Sequence, residues 1–138
     1  MNREKTIFDK IIDGETASTK VYEDDYTYAF LDISPVNIGH TLVIPKKFSR
    51  NILDMDEETV SHVAKTVRKV AIALKSAVKA YGINIVQNNE TLAGQVVFYS
   101  HVHIIPRFKG DGFHHWRGRQ NYDEGEAKKI ANEINQYI

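Results

Sequence analysis

Two histidines, His101 and His103, are separated by one valine within a run of apolar residues. The β-branched and aromatic residues around them predict a strand from Val96 to Ile105, in which alternate side chains share a face. Both imidazoles would lie on one face, roughly 6–7 Å apart, close enough to act on one small ligand. Pro106 has no backbone N–H to donate and is expected to end the strand.

Three interpretations of this pair remain open from the spacing alone. The histidines could simply occupy a partly exposed face of a sheet. They could be two ligands of a metal, although such a site needs at least one more ligand and the chain has no cysteine. They could also form a phosphoryl-transfer site, in which one neutral imidazole attacks phosphorus and the other stabilises the developing charge. Histidine suits both tasks because its unperturbed pKa of about 6.5 lies near neutrality.

The loop before the predicted strand, from Asn88 to Gln95, carries side-chain amides and a glycine. Backbone N–H groups and amides in such a loop can donate hydrogen bonds to phosphate oxygens. Asparagine and glycine are also common in ordinary turns. The loop therefore favours the phosphoryl interpretation without deciding it.

A long helix is predicted from about Asp56 to Tyr81, where apolar residues recur at three- and four-residue spacing. Asp54 and Glu57 resemble an acidic capping box, and Gly82 is placed to end the helix. The shorter predicted elements are a helical turn at Thr6–Ile12, strands at Val21–Tyr22, Tyr26–Leu31, Thr41–Ile44 and Ile83–Val86, and a final helix at Asp123–Tyr137. These elements predict an α+β fold, with an antiparallel sheet of about five strands, one long helix packed on it and a C-terminal helix.

The composition is that of an ordinary globular chain. Its 138 residues suit a single domain, with a core at about 6–108 and a C-terminal loop and helix at 109–138. The 18 basic and 18 acidic residues cancel, so nothing draws the whole chain to nucleic acid or a membrane, and an anionic ligand would need a local site. Because the N-terminus does not look like a signal peptide and cysteine is absent, a cytoplasmic location is expected.

The order of several short blocks resembles the histidine-triad (HIT) family. The similarity runs from Ile7 to about Arg107 and includes Ala29-Phe30-Leu31-Asp32-Ile33-Ser34-Pro35, Gly39-His40-Thr41-Leu42-Val43-Ile44-Pro45, Ala93-Gly94-Gln95 and His101-Val102-His103-Ile104-Ile105-Pro106. The family signature is His-φ-His-φ-His-φ-φ, where φ is apolar. Aligned on Pro106, His103 takes the third position, His101 the middle position, and Tyr99 the place of the first histidine.

The resemblance implies a nucleotidyl hydrolase or transferase that cleaves a purine nucleotide, with AMP expected, from a leaving group and uses no cofactor. It would be a nucleotide phosphoramidase or a dinucleoside polyphosphate hydrolase. His101 would attack the α-phosphorus and carry the nucleotidyl group, and His103 would bind a phosphate oxygen. The implied substrate contacts are Asn88, Gly94 and Gln95 at the phosphate, Asp32 at the ribose, and Phe8, Ile11, Phe30 and Ile33 around the base. His40 is expected to have a structural role.

The chain departs from the family pattern in two respects, the ligands of a zinc site and one residue near the leaving group. Many bacterial members hold a structural zinc, and the residues at the matching positions are Thr6, Asp9, Phe48 and Tyr99, so no zinc site is expected here. In this interpretation Tyr99 replaces a histidine whose role was structural. The competing interpretation is that Tyr99 alters the electrostatics of His101 and slows the reaction. Val96 stands where many relatives place a hydroxyl near the leaving group. These departures motivate an alternative, a nucleotide-binding regulatory module with weak or no catalysis.

Beyond Arg107 the resemblance weakens. The segment Lys109–Arg119 is rich in cations and aromatic residues, and it could either close over a ligand or form a solvated loop. Its candidates for contact with phosphate or the leaving group are His114, His115, Arg117 and Arg119. The resemblance also implies a homodimer, with the long helix and a strand near Asn84–Gln87 at the interface.

Overall fold

The computed structural model describes residues 3–116 and 118–138. Within them, one antiparallel sheet contains β1 (Lys20–Glu23), β2 (Thr27–Leu31), β3 (Thr41–Pro45), β4 (Gly82–Val86) and β5 (Val102–Arg107). The spatial order is β1-β2-β3-β5-β4, which places β5 between β3 and β4. The helices are α1 (Ile7–Ile12), α2 (Glu57–Ala77) and α3 (Glu126–Asn135). The predicted α+β fold with a five-stranded antiparallel sheet is confirmed.

The long helix α2 packs on one face of the sheet and forms the larger core. Its apolar stripe meets inward-facing residues of three strands, and the buried members are Ala29, Val43, Val63, Val67, Val70, Leu74, Val102 and Ile104. Asp56 caps the helix by accepting a hydrogen bond from the Thr59 N–H. Asp54 belongs instead to the capping box of a preceding 3₁₀ turn, with Asn51 as its N-cap.

The end of α2 differs from the prediction. The helix stops at Ala77, and Lys79 adopts a left-handed conformation with φ 56°. Gly82, predicted to end the helix, is the first residue of β4. The apolar spacing continues past Ala77, but the chain must turn there for β4 to pair with β5.

The strand that carries His103 is also shifted from its predicted position. Residues 96–101 are not strand, because their surroundings supply other partners: the Gln95 amide donates to the carbonyls of Arg50 and Val97, and the Ser100 N–H donates to the Ser49 carbonyl. The strand continues through Pro106, which pairs with Ile83. A proline is tolerated there because the pairing with β3 ends at Ile104, so β5 has only one neighbour.

A second, smaller core lies on the other face of the sheet, beneath α1. Its buried residues are Phe8, Phe30, Leu42, Ile44 and Tyr99. A capping box formed by Thr6 and Asp9 starts α1. The C-terminal helix α3 has no buried residue, and no helix in the described part of the chain is long and apolar enough to cross a membrane.

Candidate active site

A cleft of ≈ 910 Å³ opens on the α1 face of the sheet. This volume lies within the range of small-molecule sites. Its wall contains the predicted residues Phe8, Ile11, Phe30, Asp32, Ile33, Asn88, Gly94, His101 and His103. Residues between Thr16 and Thr19, together with Leu42, line it as well and were not predicted. Phe8 and Phe30 meet edge to face at 5.6 Å between ring centroids, so they serve the core and the cleft at once.

His101 is 9% exposed and held in one orientation. Its Nδ1 lies 2.7 Å from the Tyr99 carbonyl oxygen, and the Phe8 ring packs edge-on at 5.0 Å between centroids. A carbonyl can only accept a hydrogen bond, so Nδ1 carries the proton and Nε2 keeps its lone pair. Burial lowers the pKa of His101, although the hydrogen bond to Tyr99 opposes that shift. The ring is therefore neutral at pH 7 and has a free nucleophilic nitrogen.

His103 belongs to a chain of hydrogen bonds that starts at a backbone amide. The Val36 N–H donates to His40 Nδ1 at 3.1 Å, and His40 Nε2 lies 2.9 Å from His103 Nδ1. In a neutral His40 the proton must then be on Nε2, which donates to His103 and leaves the His103 proton on its own Nε2. Burial, together with His101 and His40, lowers the pKa of His103 to about 4. His103 thus lines the cleft as a neutral ring whose Nε2 carries the proton.

His40, for which only a structural role was predicted, is hydrogen-bonded to a residue of the site. It lies next to β3, in which Leu42 is directly opposite His103. Residues two apart in an extended segment share a face, so His40 is a diagonal neighbour of His103. The position of His40 just before a strand of the sheet was visible in the sequence, but the pairing of that strand with the histidine strand was not.

Asp32 and Asn88 are two further polar residues of the cleft. Asp32 accepts a hydrogen bond from the Ser34 N–H at 2.8 Å, and its second oxygen lies 3.6 Å from His40 Nε2. Gly94 has φ +98°, and a Cβ at this position would lie 3.4 Å from the Asn88 amide nitrogen. The absence of a side chain at Gly94 therefore keeps the space beside Asn88 open.

Gln95 and Tyr99 do not reach the cleft. The Gln95 amide is 3% exposed; its nitrogen donates to Arg50 and Val97, and its oxygen accepts from Asn51 Nδ2 and the Glu90 N–H. The Gln95 side-chain amide, which was predicted to contact phosphate, therefore makes its hydrogen bonds within the protein instead. Tyr99 is 1% exposed, and its hydroxyl donates to the Pro45 carbonyl. Burial raises the pKa of Tyr99, so the phenol is neutral.

Two groups of residues have donor types or positions that could suit a metal ion, and neither fits one. Asp32, His40 and His103 offer ligand atoms within 4.8 Å of one another, but the hydrogen bond between the two imidazoles occupies the lone pair of His103 Nδ1. The positions that match the zinc ligands of relatives do not fit zinc. Phe48 has no donor atom, the Tyr99 hydroxyl is used by Pro45, and both Asp9 oxygens accept hydrogen bonds from Arg3.

Three of the four candidate residues of the C-terminal loop can be placed relative to the cleft. His114, His115 and Arg119 are exposed, and none of them lines the cleft. Arg117, the fourth candidate, lies outside the described residues. The start of the loop is fixed by Asp111, which accepts hydrogen bonds from the Phe108 N–H and from the side chains of Asn37 and Arg107.

Comparisons with known proteins show which family the chain belongs to. The HIT domain model matches residues 13–110. An uncharacterized HIT-like protein of Borreliella burgdorferi is 46% identical over 135 residues, covering 96% of this chain and 97% of the relative. A crystal structure of a HIT family protein from Bacillus anthracis matches with a TM-score of 0.92 and 42% identity, covering 99% of each chain. Adenylylsulfatase HINT3 of Arabidopsis thaliana is 42% identical over 108 residues, which are 76% of this chain and 53% of that protein. This chain belongs to the HIT-domain family.

Proposed function

We propose that this protein is a nucleotidyl hydrolase or transferase that cleaves a purine nucleotide from a leaving group, with AMP as the expected nucleotide. The observation that carries the proposal is the state of His101. Its Nδ1–H is fixed on the Tyr99 carbonyl, which leaves Nε2 with a lone pair on a ring that lines a nucleotide-sized cleft. The name of the related adenylylsulfatase supports the choice of an adenylyl substrate.

The reaction would proceed in two displacements at phosphorus. In the first, His101 Nε2 forms a bond to the α-phosphorus, and the bond between phosphorus and the leaving group breaks with its electron pair. The ring becomes positively charged, and the hydrogen bond from Nδ1 to the Tyr99 carbonyl strengthens with that charge. In the second, water attacks the phosphorus and loses a proton to the solvent, the P–N bond breaks with its electron pair returning to His101 Nε2, and AMP leaves.

The neighbouring residues would bind and orient the nucleotide. The Nε2–H of His103 would donate to a phosphate oxygen, and His40 would hold His103 in the tautomer that allows this. Asn88 would donate to the same phosphate. Asp32 would accept hydrogen bonds from the ribose hydroxyls, and the base would lie between the apolar residues Phe8, Ile11, Phe30 and Ile33. In this proposal Tyr99 stands at the first position of the histidine triad and acts through its backbone carbonyl.

The direct test is AMP release from an AMP-amine phosphoramidate, a dinucleoside polyphosphate and adenylyl sulfate. We expect His101→Ala to lower the rate by at least about a thousandfold while the protein stays folded, because the nucleophile is lost. His115→Ala is the matched control, since that ring is exposed and outside the cleft. Quenching in alkaline denaturant should trap a nucleotidyl group on His101, because a P–N bond to histidine survives base and hydrolyses in acid. Full activity of His101→Ala would refute the mechanism.

A second candidate function is a nucleotide-binding regulatory module. The observation in its favour is Val96, which lines the cleft, is 84% exposed and has no hydrogen-bond donor for a leaving group. Loss of one such donor costs about 1–3 kcal/mol of transition-state binding. Tight AMP binding without turnover of any of the three substrates would favour this candidate.

We also propose that the protein is a homodimer. β4 is an edge strand, and beside it lies an apolar groove of ≈ 560 Å³ between α2 and the sheet. An exposed edge strand next to an apolar groove is a surface suited to a second copy of the chain, because antiparallel strand pairing is self-complementary.

A further inference from the structure

The Arg3 side chain belongs to a cluster with Asp9, Phe48 and Tyr99. Its guanidinium donates two hydrogen bonds to the Asp9 carboxylate, at 2.8 and 2.6 Å. The same group lies 3.3 Å from the centroid of the Phe48 ring and 5.8 Å from that of Tyr99. A planar guanidinium can make both kinds of contact at once, with its edge on a carboxylate and its face on a ring.

Each partner of Arg3 belongs to a different part of the fold. Asp9 lies in α1 and also accepts a hydrogen bond from the Thr6 N–H at 2.7 Å, as part of the capping box. Phe48 follows β3, and Tyr99 precedes β5. Arg3 therefore ties the N-terminal helix to the two segments that flank the central strands. The hydrogen bond from Arg3 lowers the pKa of Asp9 to about 2, so the carboxylate stays charged.

The cluster surrounds Tyr99. The Phe48 ring packs edge-on against the Tyr99 ring at 5.3 Å, Phe8 does the same at 6.2 Å, and the hydroxyl donates to the Pro45 carbonyl. A side chain that is 1% exposed and held at both its ring and its hydroxyl leaves its own backbone little freedom. The carbonyl of that same residue accepts the proton of His101 Nδ1.

We propose that Arg3 is a positioning residue for His101. It clamps Phe48 against Tyr99, and this fixes the Tyr99 carbonyl that sets the tautomer and orientation of the nucleophilic ring. The proposal rests on the proposed function for its catalytic consequence, but the effect on the ring itself is independent of turnover. Phe8 of α1 packs against both Tyr99 and His101.

The test compares Arg3→Met with Lys5→Met. Methionine keeps an unbranched apolar stem while removing the charge and the planar face. Lys5 is the matched control, because it is a cation of the same segment whose ion pairs, with Asp13 and Glu15, are exposed and involve none of the residues of the Arg3 cluster. The first readout is the pKa and tautomer of the His101 imidazole, followed by ¹⁵N NMR without substrate.

We expect Arg3→Met to weaken the Nδ1–H signal and to lower the pKa of His101, because the hydrogen bond to Tyr99 raises it. We expect kcat to fall about threefold to tenfold, with KM changed by less than about twofold, which corresponds to loss of a modest orienting contact. Arg3→Lys should recover only part of this, since an ammonium cannot stack and bridge as a guanidinium does. Lys5→Met should match the wild type.

Phe48→Leu provides a second route if Arg3→Met does not fold, because it removes the ring under the guanidinium and keeps an apolar side chain. It should shift the His101 signals in the same direction. An unchanged His101 tautomer and pKa in a folded variant of either kind would overturn the proposal. A shifted tautomer in an enzyme that turns nothing over would keep this proposal and reject the proposed function.

Discussion

The imidazoles of His101 and His103 line the cleft, that of His40 is hydrogen-bonded to His103, and burial lowers the pKa of each. A neutral ring is the form that attacks phosphorus, so burial prepares the nucleophile without any base to deprotonate it. The cost is that none of these rings supplies a cation to the phosphate at neutral pH. Positive charge develops only on His101 as the bond to phosphorus forms.

The pH dependence of turnover follows from these shifts. In the free enzyme, His101 loses its lone pair only when the pH falls through its depressed pKa. We therefore expect kcat/KM for AMP release to stay constant from pH 8 to below 6.5, the unperturbed value, and to fall only in more acidic solution. A pH–rate profile with a stable chromogenic or fluorogenic AMP ester measures this. A drop centred above pH 6.5 would contradict it.

The stability of the fold should also fall in acid, as kcat/KM does. A histidine whose pKa is lower in the folded state stabilises the fold above its unfolded value, and that contribution is lost as the pH falls toward the folded value. For His103 this window runs from about 6.5 down to about 4. Denaturant unfolding at pH 7.5 and 5 should therefore show lower stability at pH 5, and a smaller difference in His103→Asn.

The hydrogen-bond chain from Val36 through His40 to His103 can be tested by two substitutions at one position. His40→Gln keeps an N–H donor that can reach His103 Nδ1, whereas His40→Ala leaves that nitrogen without a partner. We expect kcat/KM to fall about tenfold in the alanine variant and less than threefold in the glutamine variant. Equal losses in both would mean that His40 acts only through packing.

At the scale of the elements, regular patterns were predicted well and irregular segments were not. The spacing along α2 predicts the helix and its buried stripe, and alternation predicts that Val102 and Ile104 face the opposite way from His103. The run Val96-Val97-Phe98-Tyr99 has the composition of a strand, yet the chain bends there because Gln95 and Ser100 bond to residues 49 and 50. Composition cannot predict these partners, since they are about fifty residues away.

The same limit applied to the site. Asp32 and Asn88 are among the predicted residues that line the cleft. They were predicted from the family resemblance, which fixes positions that local spacing does not. The roles of His40 and Gln95 depend on which strand pairs with which and where a loop turns. The structural role predicted for His40 omitted its hydrogen bond to His103, and the Gln95 amide predicted to contact phosphate is bonded within the protein. The contact of the Tyr99 carbonyl with His101 was not predicted.

The loop before β3 allows a prediction about how His40 is held. Gly39 has φ +104°, and a Cβ there would lie 2.9 Å from the Leu74 side chain and 3.3 Å from that of Val78. Gly39→Ala should therefore cost about 2–4 kcal/mol of unfolding free energy, from backbone strain and overpacking together. Gly14→Ala is the control: Gly14 has φ +78° with nothing within 4 Å, so only the strain of about 1–2 kcal/mol applies. Denaturant titration measures both, and equal losses would contradict the close approach of Gly39 to α2.

At the scale of the whole molecule, the two faces of the sheet differ in what they leave exposed. The α1 face holds the cleft, with its polar and ring nitrogen atoms. The other face is covered by α2 except beside β4, where the groove remains open and Ile72 and Ile85 are 55% and 56% exposed. Exposed apolar side chains in such a contiguous groove usually mark a protein interface.

The proposed homodimer makes the last prediction. Placing a carboxylate in the groove would bury an unpaired charge in the interface, at a cost of several kcal/mol per subunit. In a monomer the same carboxylate would remain half exposed to water, so the fold should tolerate it. Ile85→Asp should therefore elute and scatter light as a monomer at tens of micromolar, where the wild type has the mass of two chains. Ile38→Asp is the matched control, because Ile38 is 79% exposed and lies outside the groove, so this variant should remain dimeric. A monomeric wild type, or an Ile85→Asp variant with the mass of a dimer, would place the interface elsewhere or remove it.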